Sequence, residues 1–531
     1  MTYRTDELFA ARFSGPAPLT GFLLVVCLSV LLYLLYGAES DSTTEIYTAG
    51  RSLRPAANAL ALTGDYVSVT TLLTVTGSVS LAGGDGIVLA AAGVGTLVVL
   101  LVLARPLRDA GGVTLGDTWG ALFPGGAVRV AGTVATLCFC LPLTIVQLEV
   151  AGAAVAYLMG LSDLGPAAQL CTAFIGVIMI CAASLSGMRG NSILQAIKTV
   201  VLLLGMTVLA GQVMGEFGWS PHRLLAAAAD GSARPGRFYT GVLLGGDGTA
   251  GGASRLSELV TVALGAGVAP HLLMRLRASD RGASARRTVR HTIVLVTVFS
   301  GLGVVLGLGA AGLVGGTAVR AADPQGLAAM PMLALQLADG KSGGGAILAL
   351  TVSMIFLTSL TVVASLTLSS AASVAHDIYA LRAARGTTTS EIRVVRWSGA
   401  VLGALAVVPA VVLEGQNVTF LAEFSVATAA SAILPSMVLG LFWPRFTRRG
   451  MLCSVYGGIV CCVVLQLFGP GVSGSTGSIL PGSDFAWFPL ETTGLVSVPV
   501  GFLLAWAVSR TRQRPGSEHR ATRKPVSTTR Y

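Results

Sequence analysis

Long runs of apolar residues recur along the whole chain, separated by short polar or glycine-rich segments. A helix needs roughly 20 apolar residues to cross the hydrocarbon core of a bilayer, because it rises only about 1.5 Å per residue. By this measure the pattern predicts about thirteen membrane-spanning helices. They are numbered spans 1 to 13 and cover residues 19–37, 55–82, 86–104, 130–160, 166–187, 193–215, 256–274, 291–317, 346–375, 397–413, 418–443, 451–469 and 490–508.

The composition agrees with this pattern. Of the 531 residues, 53% are hydrophobic and only 11% are charged, whereas a soluble domain carries about 25% charged residues. We therefore predict an all-α polytopic membrane protein whose spans pack as one bundle in the lipid bilayer. The polar segments leave no room for a separate soluble domain, and the basic stretch at 509–531 is expected to be a disordered tail.

The basic residues are distributed unevenly between the two sides of this bundle. An odd number of spans puts the two termini on opposite sides. If the N-terminus is outside, most of the 35 Lys and Arg residues fall in inner segments, including Arg189, Lys198 and the cluster from Arg275 to Arg290. The positive-inside rule then predicts a cell-membrane protein with its C-terminus in the cytoplasm. The net charge of +10 follows from this bias. It does not indicate nucleic acid as a partner.

Span 2 contains an unusual polar stretch, NALALTGDYVSVTT, at residues 58–71. Gly64 tolerates non-helical backbone, and a broken membrane helix exposes carbonyls that can bind a cation. Asp65 is a carboxylate within a membrane span, which is costly and is often found at functional sites. The alternative is a structural Asp that only hydrogen-bonds to a neighbouring helix.

Span 9 offers a matching polar surface, because Thr358, Thr361 and Ser365 recur at spacings of three and four and so share one helical face. Hydroxyl oxygens suit a hard monovalent cation, although Thr and Ser in membrane helices also bond to their own backbone. Neither a nucleophile–base arrangement nor a Cys/His metal spacing is present, so an enzyme is the least favoured class. Further polar residues within spans are Gln147, Glu149, Glu258, His271 and Glu423.

A series of short motifs resembles the sodium:solute symporters, and in particular their cation/acetate branch. In chain order they are YTAGRSL, ALTGDYVS, GGDG, RPLRDAGGVTLGD, LQAIK, APHLLMR, VVASLTLSSAASVAHDIYA, GQNVTF and RRGML, and they extend over about residues 45 to 510. The resemblance implies a LeuT-type core of two inverted five-helix repeats. These repeats would be spans 2–6 at 55–215 and spans 7–11 at 256–443. The other parts would be an N-terminal helix with the first inner loop at 1–54, an outer loop at 216–255, and spans 12 and 13 at 444–508.

The resemblance also implies a sodium site between spans 2 and 9. Matching GDY assigns two backbone carbonyl ligands to Thr63 and Tyr66. Counting back from HDIY assigns the span 9 ligands to Thr358, Thr361 and Val362, of which Val362 can offer only its carbonyl. Sodium would then be the coupling ion, and no cofactor is expected.

The break in span 2 is expected at Gly64–Asp65, which resembles the break in the first core helix of the family. Asp65 would act near the cation or hold the unwound segment in place. Together with Ser68 and Gln147, these residues are predicted to line the path of the solute and of the coupling ion.

The resemblance implies sodium-driven uptake of a small monocarboxylate such as acetate, propionate or pyruvate. The chain departs from the acetate branch at Val69–Leu72, at Glu149, and at SGMRGNSILQ, which lacks a Thr-Thr-Trp sequence. Another solute, such as an amino acid, is therefore the alternative. A signalling protein built on a transporter core is a further class, but it would usually carry a large appended cytoplasmic domain.

Overall fold

The computed structural model describes residues 16–37, 42–159, 161, 165–185, 187–240, 249–339, 343–380, 388–474, 478–480 and 482–510. Regular structure within these residues is helical, apart from one isolated bridge between Ser473 and Leu480. Of the predicted tail at 509–531, the part from residue 511 lies outside the described residues.

The prediction of about thirteen spans is confirmed. Within the described residues, ten helices are long and apolar enough to cross a membrane, and a bent pair of helices forms an eleventh span. Shorter apolar helices at Leu19–Tyr33 and Gly494–Arg510 coincide with predicted spans 1 and 13. The bounds of spans 2 to 6 are Pro55–Tyr66 with Val69–Ala82, Gly84–Asp109, Gly126–Leu158, Gly165–Leu185 and Met188–Glu216. Spans 7 to 12 are Gly251–Leu276, Gly282–Leu313, Gly344–Tyr379, Ser390–Val412, Thr419–Phe442 and Arg448–Leu467.

Short helices occupy several of the segments that lie between the predicted spans. They are Thr43–Thr48, Leu115–Leu122, Pro221–Asp230, Gly316–Ala322 and Ala329–Ala338. The predicted outer loop at 216–255 contains one of them. There Ser220 caps the helix by accepting the N–H of Arg223, and Leu224 and Ala228, one turn apart, are buried against the bundle.

Spans 2 and 7 are both interrupted near the middle of the bundle. Span 2 bends by 66° between its two helices. Span 7 turns into a 3-10 helix at Ala266–Val268, and Ala269 then leaves helical geometry before Pro270, because a residue that precedes proline disfavours the α region. These two spans begin the two predicted repeats, five spans apart, so the breaks occupy equivalent positions in the repeats.

The prediction that span 2 breaks at Gly64–Asp65 is wrong by three residues. The first helix continues to Tyr66, and the extended residues are Val67 and Ser68. The Ser68 hydroxyl accepts the N–H of Thr71 at 3.1 Å and so caps the second helix. Gly64 has another role, because a Cβ atom there would lie 2.5 Å from Oε1 and 2.7 Å from the backbone O of Gln195. Glycine thus allows span 6 to approach span 2 closely.

Span 9 is the most enclosed of the spans whose burial can be compared. In its most apolar segment, 83% of the residues are buried, against 28% in span 10. Its predicted ligands Thr358, Thr361 and Val362 are all fully buried. Their face therefore contacts other helices and not lipid.

The orientation prediction can be tested by cysteine labelling from outside the cell. Ala233 and Ala283 are both exposed, and they lie on opposite sides of the bundle in the predicted topology. A membrane-impermeant maleimide should modify Ala233→Cys but not Ala283→Cys, because the latter lies in a basic inner segment. Labelling of the wild type measures the background signal from the native cysteines. The reverse labelling pattern would overturn the orientation.

The close approach at Gly64 predicts a specific sensitivity to side-chain size. Gly64→Ala should lower transport and the melting temperature, because a methyl group must displace Gln195, and overpacking typically costs about 1–3 kcal/mol. Gly211→Ala in span 6 is the matched control, since nothing lies within 4 Å of its added Cβ. Uptake per inserted molecule and thermal stability should be measured for both. Equal behaviour of the two variants would contradict the packing role.

Candidate functional site

Asp65 is the centre of a buried polar cluster between spans 2, 6, 7 and 9. Its Oδ2 accepts a hydrogen bond from Nε of Arg275, and both side chains of this ion pair are 1% exposed. Its Oδ1 accepts Nε2–H of Gln195 at 2.6 Å and the hydroxyl of Ser365. A carboxylate is tolerated here because a cation and two further donors compensate it.

Span 6 connects this cluster to the face of span 9. Gln195 Nε2 also donates to the backbone O of Thr361 at 2.8 Å. Asn191 Nδ2 donates to Ser365 Oγ at 2.7 Å, and Arg275 Nη1 donates to Ser192 Oγ at 2.7 Å. Three polar positions of span 6 therefore fix the positions of spans 7 and 9 relative to span 2.

The backbone at the break of span 2 is bonded by side chains from other spans. Lys198 of span 6 donates from Nζ to the carbonyls of Gly64 and Val67, both at 2.6 Å. Gln147 of span 4 accepts the N–H of Val69 at 3.2 Å and donates to Thr70 Oγ1 at 3.2 Å. Gln147 therefore lies at the start of the second helix of span 2, and its role in lining the pathway stays a prediction.

The predicted sodium ligands lie on spans 2 and 9. The carbonyl of Thr63 accepts the N–H of Val67 at 2.9 Å, and that of Tyr66 accepts the N–H of Ser68 at 3.1 Å. Thr361 Oγ1 donates to its own helix at Leu357 O, 2.8 Å away. Thr358 and Val362 complete the set. Among the described residues, the Thr358 hydroxyl is buried without a hydrogen-bond partner.

Lys198, Arg275 and Gln195 belong to the cluster but were absent from the predicted site, whereas Ser365 was predicted as part of the polar face of span 9. Counting Lys198 and Arg275 as charges of inner segments was wrong, because each is 1% exposed within the bundle. The sequence did contain a signal: LQAIK and APHLLMR are two of the motifs shared with the family, and each puts one basic residue within or at the end of an apolar run.

A cavity of about 180 Å³ lies beside the two breaks. His271 lines it at the start of the helix after the break of span 7, with Nε2 3.4 Å from the backbone O of Asp65. Within the described chain, Nδ1 of His271 is buried without a partner. Carboxylates of Glu258 and Glu423 also line the cavity, whereas Glu149 is not among the lining residues. The span 2 residues that line it are Asp65, Tyr66, Ser68, Thr70, Thr71, Thr74 and Val75.

A second polar network lies around Arg277, directly after the end of span 7, and around the segment between spans 3 and 4. Arg277 Nη1 donates to the carbonyls of Gly111 and, at 2.7 Å, Gly112, and Nη2 donates to Thr118. The Asp117 carboxylate lies 2.8 Å from Arg129 and 3.5 Å from His376. These contacts link the segment between spans 3 and 4 to spans 7 and 9.

Asp117 stays ionised in that network. Burial would raise the pKa of its carboxyl, but hydrogen bonds from His376 and from the backbone N–H of Val113, with the charge of Arg129, hold the pKa below its ordinary value. The carboxylate can therefore remain paired with both cations at neutral pH.

Two interrupted helices, a buried polar cluster and a cavity beside the breaks are features of secondary transporters. The sequence model of the sodium:solute symporter family matches residues 46–458. A monocarboxylic acid transporter of Corynebacterium glutamicum is 34% identical, with 91% of this chain and 89% of the relative covered. An uncharacterized symporter of Bacillus subtilis is 33% identical over 91% of this chain and 92% of its own. The chain belongs to the sodium:solute symporter family.

Solved transporters share the fold. A Na⁺-coupled sialic acid symporter in a substrate-bound, outward-open state has a TM-score of 0.69 at 12% identity, covering 93% of this chain and 97% of its own. MhsT in complex with L-phenylalanine has a TM-score of 0.51 at 13% identity, covering 86% and 96%. The fold is accordingly LeuT-type, with two inverted five-helix repeats and flanking helices.

The buried pair of Asp65 and Arg275 predicts a non-additive mutational response. Asp65→Asn and Arg275→Gln should each lower the amount of folded protein, because removing one partner of a buried pair costs about 3–5 kcal/mol. The double variant should be more stable than the sum of the two losses predicts, since neither member of the pair is left without its partner. Fluorescence-detected gel filtration of solubilised membranes and melting temperatures measure this. Strictly additive losses would mean that the pair does not couple.

Proposed function

We propose that the protein is a symporter that couples sodium influx to the uptake of a small monocarboxylate such as acetate, propionate or pyruvate. The observation that carries the proposal is the cavity beside the two helix breaks, at the start of the second helix of span 2. The name of the relative from Corynebacterium glutamicum, a monocarboxylic acid transporter, supports this class of solute. Sodium and the solute are both transported substrates.

The start of the second helix of span 2 offers donors that suit a carboxylate. Ser68 Oγ lies 2.9 Å from Thr70 Oγ1 and 3.0 Å from Thr71 Oγ1, and all three residues line the cavity. The N-terminus of a helix carries partial positive charge, which favours an anion near its first turn. In the proposed complex the solute carboxylate accepts hydrogen bonds from these hydroxyls.

The size and the remaining lining of the cavity favour a small solute with an apolar tail. A cavity of roughly 150 Å³ is enough for benzene, so the volume of about 180 Å³ admits a carboxylate of a few carbons. Phe139, Leu143 and Val362 line the cavity and would contact the tail.

Sodium would bind where spans 2 and 9 meet, with ligands from Thr63, Tyr66, Thr358, Thr361 and Val362. The unpartnered hydroxyl of Thr358 supports this position. An ion that bridges the two spans favours the conformation in which they are close, and it can shift the equilibrium only by its differential affinity for the two states. With the N-terminus outside and the C-terminus in the cytoplasm, the cavity would open outward and the network around Arg277 would close the cytoplasmic side.

An amino acid is the second candidate solute, and one observation favours it. Glu258 and Glu423 line the same cavity. Glu258 is paired with Arg255 at 2.5 Å, so Glu423 would be the partner of a solute ammonium group. A monocarboxylate has no cationic group that would pair with the carboxylate of Glu423.

Uptake into proteoliposomes with an inward sodium gradient tests the proposal. Labelled acetate, propionate and pyruvate should accumulate with the gradient and not without it, and unlabelled monocarboxylates should compete. Competition by amino acids alone, with loss of their uptake in Glu423→Gln, would instead identify the second candidate. Accumulation that depends on neither sodium nor its gradient would refute sodium coupling.

The proposed site predicts weaker sodium dependence in Thr361→Ala. Loss of one ligand should raise the sodium concentration for half-maximal uptake by a factor on the order of 10, corresponding to about 1–3 kcal/mol. Thr351→Ala is the matched control, because Thr351 makes the same bond to its own helix, 2.9 Å from Ile347 O, outside the proposed ligand set. An unchanged sodium dependence in Thr361→Ala would exclude Thr361 as a ligand.

A further inference from the structure

The side-chain ammonium group of Lys198 lies at the break of span 2. It donates to the carbonyls of Gly64 and Val67, both at 2.6 Å, and the side chain is 1% exposed. These carbonyls alternate along the chain with the proposed sodium ligands, since Gly64 follows Thr63 and Val67 follows Tyr66. The ammonium group is therefore bound to the same stretch of span 2, at its break, that would supply oxygens to the ion.

The two carbonyls are among those that the break leaves without their helical partners. In a continuous helix, Gly64 O would accept the N–H of Ser68, but that N–H bonds to Tyr66 O at 3.1 Å. Val67 O would accept the N–H of Thr71, which bonds instead to Ser68 Oγ at 3.1 Å. Within a membrane each such carbonyl needs another donor. Lys198 satisfies both with one cation.

With Lys198 protonated, the side-chain charge around the break is positive before any ion binds. Asp65 contributes one negative charge, and its oxygens are taken by Arg275, Gln195 and Ser365. Lys198 and Arg275 contribute two positive charges, and Lys198 donates to backbone carbonyls instead of the carboxylate. A sodium ion between spans 2 and 9 would thus be repelled by an ammonium group that has no carboxylate of its own.

We infer that Lys198 is a tethered cation that competes with the coupling ion for the backbone at the break of span 2. The ammonium group holds the carbonyls of Gly64 and Val67 when the ion is absent, and ion binding displaces it from them. This inference rests on the proposed coupling to a cation. It makes Lys198 a positioning residue that sets the affinity of the ion without being one of its ligands.

Charge-removing variants of Lys198 test the competition. Lys198→Met removes the cation at similar length, and Lys198→Gln keeps a donor for one carbonyl and so guards against simple misfolding. In proteoliposomes, both should lower the sodium concentration for half-maximal uptake about tenfold, because a like charge beside the ion is removed. Lys198→Arg keeps the charge and should not lower that concentration.

Thr199→Val is the matched control. The Thr199 hydroxyl is on the adjacent residue of span 6 and also bonds to a carbonyl of the first helix of span 2, Leu60 O at 2.9 Å, but it carries no charge. This variant should leave the sodium dependence unchanged. If the role of Lys198 were merely structural, the Lys198 variants and Thr199→Val would change the sodium dependence in the same way. A second measurement, stabilisation of the purified full-length protein by sodium without solute, should reach its midpoint at lower sodium in Lys198→Gln than in the wild type.

The outcomes separate this inference from the proposed function. An unchanged or higher sodium requirement in both Lys198→Met and Lys198→Gln overturns the competition, even if wild-type uptake is driven by sodium. If wild-type uptake does not depend on sodium, the proposed coupling ion is wrong. In that case, sodium dependence gained by the neutral variants still supports the tethered cation, and continued independence overturns it.

Discussion

A break in a membrane helix must satisfy its own backbone groups, because no water is available in the hydrocarbon core. At the break of span 2 this requirement fixes the neighbouring helices. Lys198 bonds to Gly64 O and Val67 O, and Gln147 accepts the N–H of Val69. Spans 4 and 6 are therefore held at one point by the backbone of span 2, and the cavity and the polar cluster form around that point.

The two polar networks differ in their access to water. The ion pair of Asp65 and Arg275 is 1% exposed, so separating it would leave charges without compensation in the bundle. The pairs of Asp117 with Arg129 and of His376 with Glu391 retain between 17% and 29% of their side-chain exposure, and water can replace the lost partners. A transporter that opens one side while keeping its centre intact needs this difference.

The sequence predicted the spans well, because a run of about 20 apolar residues has few other structures available to it. It misplaced the break of span 2, since a conformationally permissive residue such as Gly64 seemed a better signal than the Ser68 cap three residues beyond Asp65. The count of basic residues on each side of the bundle also took Lys198 and Arg275 to be water-exposed charges. Hydropathy does not show which face of a helix a lone basic residue occupies, and the partner Asp65 is distant in sequence. The sodium ligands rest on the resemblance in sequence and remain a prediction.

The excess positive charge at the break has an electrical consequence. Lys198 and Arg275 outnumber Asp65 within the thickness of the bilayer, where the membrane voltage falls. Moving one elementary charge through the whole voltage drop changes the free energy by about 2.3 kcal/mol per 100 mV. If an entering cation pushes the ammonium group of Lys198 ahead of it, two charges move through part of that field in one step. The loading of the empty carrier would then depend more steeply on voltage than the transfer of a single ion requires.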